Sequence, residues 1–237
     1  NLSTEQQLGW VMPQPRDDLA DAVGDWLARF RGSGQLEDLR ERYYGFFALF
    51  DYVDTSVYIR RIRERFPQYD AYFREAAGKY DLPYLLLAAQ GYQESHWNAA
   101  ARSPTGVRGI MMLTLNTARA MGVDNRLDAR QSIFGGAKYL ARMKQRFEPE
   151  VTEPDRTWLA LAAYNVGRAH LHDAQTLARA KGLDPHRWRD IKKVLPLLAD
   201  PAYYNDLKYG YARGTEPVRY VRRIREYQHI LANQIDN

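Results

Sequence analysis

Glu94 is an acid in a place where acids are rare. Residues 85–114 read LLLAAQGYQESHWNAAARSPTGVRGIMMLT, and the almost wholly apolar first part runs straight into this one carboxyl group. Asp81 as N-cap and Pro83 in the first turn predict a helix from about residue 82 toward residue 96. Between Tyr84 and Tyr92 the one strongly polar side chain is Gln90, which is the pattern of a helix buried on most of its circumference. Leu87, Gly91 and Glu94 fall at i, i+4 and i+7, so Glu94 rides on an interior stripe beside a glycine-sized gap. Apolar surroundings and the negative end of the helix dipole both disfavour its charged form and push its pKa upward. A carboxyl group that keeps its proton near neutral pH is a general acid, the kind of group that protonates a glycosidic oxygen. The plain alternative is that Glu94 turns out to solvent at the helix end, since ordinary ion-pair networks also perturb acids. His170 and His172 do not amount to a metal site, because residues two apart on a helix do not face one another.

Four further blocks stand in a fixed order: Glu94-Ser95 with Trp97-Asn98, Ser103-Pro104-Thr105-Gly106 leading to Gly109-Ile110-Met111-Met112-Leu113, Ala163-Tyr164-Asn165-Val166-Gly167, and Glu216 followed by Tyr220-Val221. Over roughly residues 69–231 their order and spacing resemble the lytic transglycosylases of the goose-lysozyme-like superfamily, most closely the membrane-bound lytic murein transglycosylase F group. The resemblance implies a mainly α, lysozyme-like helical domain with a small loop or short β region, acting on peptidoglycan glycan strands and muropeptides with no cofactor and no metal. It implies Glu94 as the catalytic acid and Ser95, Ser103, Met112, Tyr164, Asn165, Glu216 and Tyr220 as substrate-binding residues. Within it, Ser103 lies beside the N-acetyl group of the sugar, the Tyr164-Asn165 pair lines the cleft, and Glu216 and Tyr220 reach the cleft from the first turns of the last helix. Many relatives carry Gln where this chain has Met112, and Met-Pro near Thr114-Leu115, which puts in doubt a hydrogen bond to substrate from position 112 but leaves the acid untouched. Read without the resemblance, Met111 and Met112 are core filler or a groove wall, and Tyr164 and Asn165 are groups that satisfy buried backbone.

The elements that must hold these residues are mostly helical. Asp54 or Thr55 caps an expected helix through Val57, Ile59, Ile62 and Phe66, ended by Pro67. A helix with Tyr72, Phe73, Ala76 and Ala77 is expected to stop at Gly78. Residues 98–108 are rich in turn formers and read as a loop with short β pairing over a cleft. A helix over residues 114–121 carries Leu115, Ala118 and Met121 on one side. Residues 132–147 form another, where Gly135-Gly136 suggests close approach of a second backbone. Asp155 is expected to cap the next helix and Gly167 to end it. The tyrosines between Asp184 and Gly214 suit either a sugar groove or core packing. Residues 216–231 place Tyr220, Val221, Ile224, Tyr227 and Leu231 on a core stripe.

Residues 1–45 read differently. Leu8–Met12 suggests a strand with no ladder partner in the chain, followed by a helix capped by Asp17 or Asp18 with Leu19, Ala22 or Val23, Trp26, Leu27 and Phe30 on one side, a break at Gly32-Ser33-Gly34, and a second short helix marked by Leu36, Leu39 and Tyr43. The segment resembles the closing part of periplasmic solute-binding domains of the amino-acid type. It is expected to be the tail of such a regulatory domain or, alternatively, a helical appendage packed on the core. The division expected is therefore 1–45, a linker helix over 46–68, and a catalytic domain over 69–237.

Lys plus Arg number 34 against 29 Asp plus Glu, a net charge of +5 that favours acidic partners. The arginines fall at helical spacing beside apolar residues, so solvated helix faces explain them better than a nucleic-acid stripe, and no nucleic acid is expected. Cysteine is absent, which decides nothing about compartment. No apolar run is long enough to span a bilayer. Any signal peptide has been removed or was never present; a periplasmic location, peripheral attachment to the outer membrane and a monomeric state follow from the resemblance alone. A hydrolysing muramidase on the same fold, or a non-catalytic peptidoglycan-binding module, remains the alternative function.

Overall fold

The computed structural model describes residues 17–45 and 52–235, so the strand expected at Leu8–Met12 lies outside the described residues. The chain divides into two compact units, one ending at Tyr44 and the other beginning at Gly45. The first holds α1 (Asp17–Gly32) and α2 (Gln35–Tyr44), parted by a turn in which Gly34 takes φ +77°. On α1, Trp26 stacks on Phe30 with ring centroids 5.0 Å apart.

The second unit holds α3 (Tyr52–Glu64), α4 (Asp70–Tyr80), α5 (Tyr84–Ser95), α6 (Leu115–Met121), α7 (Ala129–Gln145), α8 (Asp155–Val166), α9 (Arg168–Ala180), α10 (Trp188–Val194), α11 (Pro201–Tyr204) and α12 (Thr215–Ile235). Short 3-10 turns at Phe66–Gln68 and Leu195–Ala199 join some of them. Among the described residues there is no strand. The pairing expected after Glu94 takes the form of two isolated bridges, Arg102 to Arg108 and Arg108 to Leu113. The core is centred on α5 and α8, whose consecutive residues Leu86–Tyr92 and Trp158–Ala163 are buried. The long α12 packs along both, offering Tyr220, Val221, Ile224 and Leu231 as one buried face. Tyr58 on α3, absent from the stripe expected for that helix, is its most buried residue. Its ring packs on Tyr92, Trp97 and Tyr227 at 4.2–5.6 Å, and its hydroxyl donates to the Tyr227 carbonyl.

Several local expectations are corrected. Asp81 does not cap α5: it is the left-handed residue that closes α4, with φ +52°, and Pro83 starts α5 without a side-chain cap. Gly78 accordingly lies inside α4 instead of stopping it; Asp tolerates the left-handed well, so the reversal did not need the glycine. Asp155 spends its carboxylate on the Trp188 backbone N–H and the Arg187 guanidinium, tying α8 to α10. Leu115 is exposed, while Ala118 and Met121 are buried as expected. The close approach at Gly135 and Gly136 is to side chains and not to backbone: a Cβ at Gly136 would fall 2.6 Å from Met111, and one at Gly135 would fall 2.4 Å from Val123.

Candidate active site

The last turn of α5 delivers Glu94 into a group of polar side chains drawn from three helices. Gln90, one turn earlier on α5, is fully buried. Tyr220 comes from the second turn of α12, and Tyr164 from the end of α8. Tyr220 Oη donates to Glu94 Oε1 at 2.5 Å and accepts from Gln90 Nε2 at 3.1 Å. Tyr164 Oη donates to the Met111 carbonyl at 2.9 Å, and its ring meets Tyr139 of α7 edge-on at 5.1 Å.

The two residues beyond Ser95 fix where Glu94 points. His96 and Trp97 are both left-handed, each with φ +54°, so the chain doubles back at once. Trp97 is thereby buried beneath α5, with its indole N–H donating to the Ala88 carbonyl at 2.9 Å. Ser95 closes the same corner, donating to the Gly91 carbonyl and accepting from the Asn98 N–H. Gly91 lets α5 settle against Phe73, whose ring would lie 2.6 Å from a Cβ there.

Burial dominates the electrostatics. It pushes the Glu94 carboxyl up to about 8, and the Tyr220 hydrogen bond offsets only part of that rise. Glu94 nevertheless keeps partial solvent access, so the group is crowded by protein and still reachable. Burial and then the nearby Glu94 charge raise Tyr220 and Tyr164 well above the ordinary phenol value, so both remain neutral donors at physiological pH. A protonated carboxyl flanked by neutral donors can release a proton and take it back.

Not every expected site residue joins this group. Asn165 and Glu216 line a shared open cavity of about 470 Å³ with Val166, His170, Tyr211 and Arg213. Glu216 is exposed there, 3.7 Å from Arg219 and one helical turn before Tyr220. Ser103 sits in its own loop, sharing a 2.8 Å hydrogen bond with Thr105 and accepting from the Val107 N–H. Met112 is half-buried with φ +43°, next to the fully buried Met111. Asp128 caps α7 through the Gln131 N–H, and Asp155 is held by the Trp188 N–H and the Arg187 guanidinium. Among the described residues no cluster of three or more His, Asp or Glu is placed to hold a metal ion. A second cavity, of about 440 Å³ and lined by Arg146, Phe147, Arg168, His172 and Arg179, includes none of Glu94, Tyr164 and Tyr220. Sequence reasoning assigned no part to Gln90, Tyr139 or the Met111 carbonyl. The signal for Gln90 was its isolation as an amide in an apolar helix, one turn from the acid.

Residues 71–186 match the family described as the transglycosylase SLT domain. The chain is 50% identical over 98% of its length to the membrane-bound lytic murein transglycosylase F of Hahella chejuensis, and 51% identical over 99% of its length to that of Maricaulis maris. It covers 46% and 51% of those two proteins, so it spans about half the length of the curated relatives that it matches. Among solved structures, an inactive mutant of the lytic transglycosylase Slt from Pseudomonas aeruginosa aligns with a TM-score of 0.53 and 20% identity, over 88% of this chain and 35% of that one; this shows a shared fold. The chain is thus similar, through residues 71–186, to the lytic transglycosylases that carry the SLT domain and, over nearly its whole length, to about half the length of the membrane-bound lytic murein transglycosylase F proteins.

Proposed function

We propose that the chain carries the catalytic part of a peptidoglycan lytic transglycosylase, which cleaves the β-1,4 bond between N-acetylmuramic acid and N-acetylglucosamine without water. The observation that supports this most directly is the Glu94 carboxyl, held to about 8 by burial with a neutral Tyr220 hydroxyl donating to it. Protonated Glu94 gives its proton to the bridging oxygen as the bond from muramyl C1 to that oxygen breaks. The substrate's 2-acetamido carbonyl stabilises the charge left at C1, with Ser103 as its partner. Glu94, now a carboxylate steadied by Tyr220, takes the proton of the muramyl C6 hydroxyl as that oxygen bonds to C1. The product is a 1,6-anhydro sugar, and Glu94 returns to its starting state. Two-carboxylate hydrolases use a second acid to place water or attack the sugar; here Asp128 caps α7, Asp155 holds the start of α10, and Glu216 lies 3.7 Å from Arg219. Asn165, Glu216 and Tyr220 are assigned to the substrate groove, Tyr164 to orienting the acid, and Ser95 and Met112 to its wall.

Residues 1–45 are read as the tail of a solute-binding-like regulatory domain, in keeping with relatives about twice as long. No helix among the described residues is long and apolar enough to cross a membrane. The relatives are named membrane-bound, which supports attachment to a membrane; a periplasmic place at the outer membrane and a monomeric state are assigned from the family resemblance alone. Mass spectrometry of digested peptidoglycan tests the reaction. Anhydro-muramyl ends are expected; ends heavier by one water would identify a hydrolysing muramidase, and no cleavage would leave a binding module.

A further inference from the structure

Tyr220 has a single proton to donate, and Gln90 decides where it goes. The Gln90 amide nitrogen occupies a lone pair of the Tyr220 hydroxyl at 3.1 Å, which leaves Glu94 Oε1, at 2.5 Å, as the target of the O–H. The other end of that amide is in difficulty: Gln90 Oε1 is buried with no hydrogen-bond partner. An orphaned buried oxygen destabilises a fold, and an apolar side chain of similar length would remove the cost. Turning the amide over does not help, because both amide protons would then lack acceptors and Tyr220 would donate to Gln90 instead of Glu94. A side chain that costs stability where it lies, yet touches the reactive pair, is explained by what it does to the pair.

We infer that Gln90 is a positioning residue, which holds the Tyr220 hydroxyl in the orientation that donates to Glu94 and so steadies the carboxylate formed between the two proton transfers. The groups facing Glu94 are Tyr220 from α12 and Tyr164 from α8, and the Tyr164 proton is committed to the Met111 carbonyl. Tyr220 is therefore the donor that answers the charge, and Gln90 acts only through it. The kinetic part of the inference rests on the transglycosylase reading; the titration part does not.

The test is the NMR titration of the Glu94 side-chain carboxyl carbon in the full chain, compared among wild type, Gln90→Met, Tyr220→Phe and the double variant. Gln90→Met is expected to raise the midpoint by at least about half a pH unit, roughly a threefold change in acidity. Tyr220→Phe is expected to raise it further, and the double variant to match Tyr220→Phe alone. Gln90→Met should unfold at a temperature no lower than wild type. With Gln90→Met acting on peptidoglycan, the alkaline limb of kcat should move with the titration while KM stays put. An unchanged midpoint in Gln90→Met, or a Gln90→Met shift that survives on the Tyr220→Phe background, overturns the inference. Gln90→Leu serves as a second variant; if both apolar variants unfold, the amide is there for packing and the inference falls. A shifted titration in a wild-type chain that cleaves no peptidoglycan would instead sink the proposed function and leave the role of Gln90 standing.

Discussion

Glu94 carries two predictions of opposite chemical character. In the proposed role of proton donor it works only while protonated, so kcat/KM should fall on the alkaline side with a midpoint near 8. Glu94→Gln should cut turnover roughly 100- to 10,000-fold while the chain stays folded, as digestion assays and circular dichroism would show. The same ionisation weighs on stability. The folded chain holds this proton to about pH 8, whereas an unfolded glutamate releases it near about 4.3. The folded state therefore binds more protons across that window, and stability is full below it, declines as pH rises through it, and levels off above. The loss is at most about 5 kcal/mol, less where residual solvent access screens the charge. Glu94→Gln lacks that loss, so denaturant unfolding at pH 5 and pH 9 should show the variant gaining on wild type at the higher pH. The sheltered position of Glu94 could be read from the apolar stripe that carries it, but its chemical role came with the family likeness, since a carboxyl at a helix end can also turn out to solvent. Tyr220 was legible only through family likeness, since a tyrosine on a core stripe looks like packing. Tyr139 left no trace, because its only link to the site is the edge of another ring.

Among the helices, what matters is how closely they approach. Gly136 on α7 admits Met111, and the carbonyl of that residue receives the Tyr164 proton. Gly136→Ala would set a Cβ 2.6 Å from a side chain that is itself fully buried, so the fold should lose about 1–3 kcal/mol. Because the strain falls on the Tyr164 acceptor, kcat should drop as well; a Gly136→Ala enzyme with lowered Tm but undiminished kcat would show the two are uncoupled. Helix existence was well signalled by periodicity, and α12 buries Tyr220, Val221, Ile224 and Leu231 of the stripe expected of it. Their ends were harder. An aspartate between two helices suits the start of one and the finish of the other equally well, and Asp81 took the finish because its backbone entered the left-handed well. Asp155 illustrates a second limit: a carboxylate at a helix start reads as a cap, yet a partner 33 residues away claimed it.

For the whole molecule, the division at Tyr44 and Gly45 predicts that residues 45–237 fold without the segment before them. A chain cut to that length should unfold in one cooperative transition, within about 5 °C of the full chain by calorimetry. A broad or missing transition would make the first unit part of the core. The composition spoke to this scale only faintly, since a net charge of +5 is compatible with several acidic partners and chooses none. One trait of the site reaches further. Glu94, Gln90, Tyr164 and Tyr220 all ride on α5, α8 and α12, stiff rods that make up the core of the second unit, and not on its surface loops. Rods tilt or slide as wholes and cannot be adjusted one residue at a time. Heat inactivation and melting should then be a single event seen twice, and residual turnover could serve as a gauge of how much of a heated sample is still native.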